Sequence, residues 1–150
     1  MTEKAFLFLD EHKEGVLATV ANSRPQTRVF QVMRIEGTAL FFATAPQKEV
    51  CRQLRENPNI EFIVLHDKVS VRCSGKALFD VDEATCRWIY GNNPVLPRLY
   101  TSWEKLVYFR VPVERMEYFD LRSTPPIAEH YNLADGSMRD GFRGERFSRK

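Results

Sequence analysis

Cysteine is scarce in this chain, and the few present exclude much. Cys51, Cys73 and Cys86 are odd in number and lack Cys-x-x-Cys spacing, so neither a disulfide framework nor a zinc ribbon is encoded. His12, His66 and His130 stand far apart in the sequence, which offers no metal-ligand set and no Cys/His nucleophile pair; no metal is expected. The seven glycines never form Gly-x-Gly-x-x-Gly or a Walker loop. No apolar run exceeds strand length and no basic-then-apolar stretch opens the chain, so neither a membrane span nor an export signal is expected. A net charge of +2 is too small for a nucleic-acid or membrane surface, although a pI of about 8.5 suits a local site for a small anion. These absences point to a reducing cytoplasm and one domain with a sizeable core.

The stretch that organises the rest is Thr38 to Pro58. Thr38 to Thr44 is β-branched and aromatic and reads as a buried strand, while Gln47 to Asn57 sets Val50 and Leu54 four apart among charges, as one helix face requires. At the junction, either Thr44 caps the helix in a Thr-x-x-Gln box or Pro46 is its first residue. The second arrangement leaves amides free beside Lys48 and the Thr44 hydroxyl, a seat for a phosphate; the plainer alternative is a β-to-α turn with a solvated lysine.

Before this stretch, residues 2 to 13 suggest a short amphipathic helix carrying Phe6, Leu7 and Leu9. Strands are expected at Val16 to Ala21 and Gln26 to Ile35, joined by a hairpin turn at Asn22 to Pro25. After it come strands at Ile60 to Leu65 and Val69 to Val81, the latter bent or bulged at Gly75. Asp82 can cap a helix from Glu83 to about Tyr90; a loop through Asn93-Pro94 and Leu96-Pro97 follows, then strands at Leu106 to Val111 and Arg115 to Leu121. This order does not alternate as a doubly wound sheet would. It predicts a mostly β protein with a few flanking helices, built on a small antiparallel barrel over residues 1–121. Leu40-Phe41-Phe42 and Phe62 to Leu65 carry apolar side chains on both strand faces, so the outer set needs helices or a second subunit. Residues 122–150, rich in glycine and charge, read as a frayed tail that could be deleted without unfolding the barrel, or as an arm crossing to a partner through Phe142 and Phe147.

Arg28 and Arg34 share a strand face with Phe30 and Val32. A guanidinium there wants an anion, either a ligand or a carboxylate such as Glu61, Asp67 or Asp80. Trp88, Tyr90, Tyr100 and Trp103 can stack on a planar ligand or serve as core. No catalytic acid or base stands out.

Taken in order, Gly15-Val-Leu-Ala-Thr-Val, Arg24-Pro25, Arg28-Val-Phe-Gln-Val, Leu40-Phe-Phe-Ala-Thr44 with Lys48, Asn57-Pro58 and Val71-Arg-Cys-Ser-Gly-Lys-Ala77 resemble the pyridoxamine 5′-phosphate oxidase-like split barrels, and most closely their short nitroimidazole-resistance-type branch. The resemblance runs from about Glu3 to Leu121. It implies a split β-barrel homodimer with FMN in clefts between subunits. Arg28, Val29, Phe30, Gln31 and Val32 would run along the isoalloxazine, and Arg28, Thr44 and Lys48 would lie at the phosphate. Gln47 stands where the oxidase has an arginine, and Ser70 where it has a glutamine facing the flavin. The oxidase's C-terminal tryptophan and arginine-histidine motif have no counterpart, so oxidation of pyridoxamine phosphate itself is not expected. What remains is an FMN oxidoreductase passing electrons between a reduced nicotinamide and a small acceptor, or a non-catalytic binder of haem, deazaflavin or flavin.

Overall fold

The computed structural model describes residues 1–147. Helix α1 (Glu3–Glu11) leads into strands β1 (Glu14–Ala21), β2 (Arg24–Gln31), β3 (Arg34–Glu36) and β4 (Ala39–Thr44). Helix α2 (Glu49–Glu56) precedes β5 (Asn59–His66) and β6 (Val69–Lys76), and helices α3 (Glu83–Asn92) and α4 (Val95–Leu99) precede β7 (Val107–Asp120), β8 (Ile127–Asn132) and β9 (Ser137–Asp140). The strand order is β2-β1-β5-β6-β7-β4-β3, with β8 on β7 and β9 on β8, and these pairings are antiparallel. The two ends of that order, β2 and β3, are separated in the chain only by Val32 and Met33, so chain continuity closes the curled sheet into the split barrel. The mostly β, small antiparallel barrel with flanking helices is therefore the observed fold.

Local chemistry explains the joints. Asn22 and Ser23 both take positive φ (52° and 60°), as do Asp67 and Lys68 (47° and 64°), so β1–β2 and β5–β6 are tight hairpins whose twist matches that of their strands. The expected single strand from Gln26 to Ile35 breaks at Val32 and Met33, where the chain passes from β1 to β4. The buried Asn93 amide donates to the Met33 carbonyl at 3.1 Å, which satisfies an oxygen left by the break. Register shifts between Ser74 and Gly75. A Cβ at Gly75 would lie 2.5 Å from the Pro112 carbonyl oxygen, so only glycine allows β7 so close.

Leu40, Phe42, Phe62 and Phe109 fill the barrel interior, with Val50 and Leu54 from α2 and Ala5 and Leu9 from α1. The α1 stripe is thus Ala5/Leu9; Leu7, expected on it, is exposed. A second core lies outside the barrel wall, where Cys86 and Ile89 of α3 and Leu96 of α4 cover Phe41 and Ala43. The loop expected near Pro97 contains α4, because proline is tolerated in a first helical turn. Asp82 caps α3 as predicted, accepting from the Thr85 amide at 2.7 Å.

Two expected strands, Leu106 to Val111 and Arg115 to Leu121, are one 14-residue strand. Its first half pairs with β4 and its second with β6 and β8, with the exchange at Pro112–Val113. Beyond Leu121, β8 and β9 form a hairpin on β7, and Ala128 and Tyr131 are buried, so the expected frayed tail is ordered as far as Asp140, while residues 148–150 of it lie outside the described residues. The alternation of β8 and β9 was hidden by the surrounding charge and glycine.

Candidate cofactor cleft

The cleft lies between β2 and the start of α2, with a volume of about 740 Å³. Arg24, Gln26, Arg28, Val29 and Phe30 line one side, and Lys48, Val50, Arg52 and Gln53 the other. The strand-to-helix junction differs from both expected forms. Ala45 to Lys48 make a turn closed by the Lys48 amide on the Ala45 carbonyl (3.1 Å), and the helix begins at Glu49 with Lys48 as its N-cap and no side-chain cap bond. The positive end of α2 therefore faces the cleft beside the Lys48 ammonium. Glu49 does not neutralise Lys48, because its carboxylate is taken by Arg52 at 2.6 Å.

Arg28 is the distinctive group. Its guanidinium donates to the Thr19 hydroxyl (2.8 Å), the Gln53 side-chain oxygen (2.7 Å) and the Leu17 carbonyl (3.3 Å). Thr19 in turn donates to the same Gln53 oxygen at 2.6 Å. All these acceptors are neutral. The carboxylates considered as partners lie elsewhere: Glu61 pairs with Arg72, Asp80 with Arg110, and Asp67 forms no ion pair with Arg28. Among the described residues no carboxylate is within ion-pair distance of Arg28, and burial pushes its pKa down.

Of the other expected contacts, Val29 is 72% exposed on the outer surface while Phe30 and Val32 point into the core. Because β2 pairs only with β1, and because the two-residue turn fixes Ala21 and Arg24 as a hydrogen-bonded pair, antiparallel alternation leaves the backbone N–H and C=O of Thr27, Val29 and Gln31 at a free edge. Thr44 is buried, and its Oγ1 has no hydrogen-bond partner. Gln47 is exposed in the turn and does not line the cleft. Ser70 sits on β6 between Leu65 and Phe119, away from it. Arg34 is also remote, paired with Glu36 at 3.1 Å and stacked over Trp88. Thr19 and Gln53 were missed. Both were signalled, since Thr19 follows Leu17 on the inward side of its strand and Gln53 falls on the Val50/Leu54 helix face, where a buried polar group needs a partner.

The site is therefore a cleft lined by several cations beside the free edge of a split antiparallel barrel. The sequence profile of the pyridoxamine 5′-phosphate oxidase family matches residues 1–97, and the chain belongs to that family. No curated protein matches it in sequence. Among solved structures it is similar to a NimC/NimA family protein from Clostridium acetobutylicum (20% identity, 88% of this chain and 93% of that one, TM-score 0.74). It is also similar to a pyridoxamine 5′-phosphate oxidase-related, FMN-binding protein from Nostoc punctiforme (12%, 93% and 95%, 0.67). A haem-binding protein from Mycobacterium smegmatis shares the fold too (14%, 87% and 57%, 0.71).

Proposed function

We propose that the protein is a homodimeric FMN-binding oxidoreductase that passes electrons between a reduced nicotinamide and a small acceptor. The observation that carries this reading is Arg28, a half-buried guanidinium held on neutral oxygens at the edge of a basic cleft. Such a cation is costly until an anion arrives, and a phosphate suits its planar fork. The remaining groups fit FMN. Lys48 and the uncapped start of α2 would take the phosphate, with the Thr44 hydroxyl, buried without a partner, as a further donor. The free backbone edge at Val29 and Gln31 would hold the rim of the ring. When bound, FMN supplies the redox chemistry; the chain's part is to seat the phosphate, orient the ring and exclude water from one face.

The dimer is inferred from the outer surface. Val29, Val16 and Ile63 are cross-strand neighbours on β2, β1 and β5, and with Leu65 they leave an apolar row facing outward. A second copy is the natural cover for such a row. Ser70 lies too far from its own cleft and would reach a flavin only as Ser70 of the partner subunit. Cys51, Cys73 and Cys86 are buried thiols, with burial pushing Cys73 up to about 12, which suits a reducing cytoplasm. Among the described residues no helix is long and apolar enough to cross a membrane.

The alternative is a carrier of haem, deazaflavin or flavin without turnover. Among the described residues of one subunit, the cleft lining offers Arg28, Lys48 and Arg52, cations that suit the flavin phosphate. The visible spectrum of purified protein tests the reading. Flavin absorbance that bleaches with a reduced nicotinamide supports it, whereas a Soret band, or a flavin that never turns over, supports the carrier.

A further inference from the structure

A second cleft, about 600 Å³, opens on the outer face of β5 to β9, where Arg72 pairs in register with Ile63 of the apolar row, and shares no lining residue with the Arg28 cleft. Its floor is two adjacent cross-strand rows. Arg72, Glu117, His130 and Arg139 pair in register across β6, β7, β8 and β9, and Ser74, Arg115, Asn132 and Ser137 do the same two residues along. Between the rows, Cys73, Met116 and Tyr131 turn into the core, so the floor rests on packed side chains.

The charges do not cancel. Arg72 spans both carboxylates, at 2.8 Å from Glu117 and 3.4 Å from Glu61. Glu117 also faces His130 Nδ1 at 3.3 Å. A Cβ at Gly141 would lie 2.6 Å from His130 Nε2, so the backbone returning from β9 packs on that ring and fixes it. Both acids are therefore engaged. Arg115 and Arg139, on either side of β8, have no carboxylate within ion-pair distance among the described residues; the Asp135 carboxylate accepts instead from the Ser137 amide at 2.8 Å. The Ser74 and Ser137 hydroxyls and the Asn132 side-chain NH₂ make no hydrogen bond within the described chain.

We propose that this cleft binds a small molecule carrying an oxyanion, a carboxylate or a phosphate, between Arg115 and Arg139, with Ser74, Asn132 and Ser137 as its hydrogen-bonding groups. Two guanidiniums left over from an otherwise paired charge array are what an oxyanion completes. The proposal does not depend on flavin.

The test is an amide-shift titration of the full chain with inorganic phosphate and, separately, with succinate. The expected result is saturable shifts at Ser74, Asn132 and Ser137, with the responding arm identifying a phosphorylated or a carboxylic ligand. Arg115→Gln and Arg139→Gln are exposed changes whose folding is checked by unchanged melting, and each should weaken binding about tenfold or more. Both should leave FMN affinity intact, and Lys48→Ala should leave this site intact, so failure here and failure of the flavin reading are separate results. Shifts confined to Arg28 and Lys48, shifts without saturation, or variants that bind like the wild type would overturn the proposal.

Discussion

On the outer side of β4, Phe41 lies under α3 and α4 and is 6% exposed; on the outer side of β5, Ile63 and Leu65 are 39% and 71% exposed. Both strands carry apolar residues on two faces, yet only one is covered by its own chain. The covered face adds a second core to the monomer. The open face, continuous through Val16 to Val29 beside the Arg28 cleft, contributes little to monomer stability and is the surface assigned to the partner subunit. Similar sequence patterns thus serve folding in one place and, in the proposed dimer, assembly in the other.

The sharpest way to break this contrast is at Phe41. Phe41→Ala should destabilise the monomer by about 3–5 kcal/mol, since the helices above it cannot fully collapse onto the gap, and denaturant unfolding measures it. Ending the chain after Leu121 comes next. It strips Ala128 and Tyr131 from the core, and the tyrosine alone is worth about 1.5–3 kcal/mol of burial; an unchanged unfolding midpoint would return the hairpin to the dispensable tail its composition suggests. Leu65→Glu should change monomer stability by only about 0.5 kcal/mol while shifting sedimentation from dimer to monomer. A variant that stays dimeric would move the interface elsewhere.

The smallest expected effect is on pH dependence. The Arg122 guanidinium, bonded to Asp120 at 2.9 and 3.0 Å, holds that carboxyl below its ordinary range. The folded state then binds this proton less readily than the unfolded chain. Its stabilisation is present above the ordinary carboxylate pKa of about 4 and is lost as pH falls through the lowered folded value. Asp120→Asn should therefore flatten the acid limb of the stability curve, slightly because Arg122 is half exposed.

The barrel was legible because strand alternation and turn residues are local signals. Val50 and Leu54 marked the buried face of α2, and Gly75 marked the bulge. The hairpin of β8 and β9 was not, because Tyr131 and Ala128 acquire meaning only once β7 offers an edge. Nor could sequence show that β7 exchanges partners at Pro112, since that depends on β4 and β6 arriving from opposite sides. In the cleft, Arg28 and Lys48 were brought to one phosphate by family position, but the neutrality of Arg28's partners belongs to the fold. Gln47 and Ser70 rested on family position alone, and within one subunit neither reaches the cleft.

The most direct measurement of the central claim, that the cleft seats the phosphate of FMN, is a paired titration of FMN and riboflavin into wild type and Lys48→Ala. Lys48 stands at the uncapped start of α2 with no carboxylate paired to it among the described residues. Charge-assisted bonds of this kind contribute roughly 1.5–3 kcal/mol, so FMN affinity should fall about tenfold to a hundredfold while riboflavin, lacking the phosphate, barely responds. An unchanged FMN affinity, or an equal loss for both flavins, would contradict the account and leave Lys48 a solvated charge.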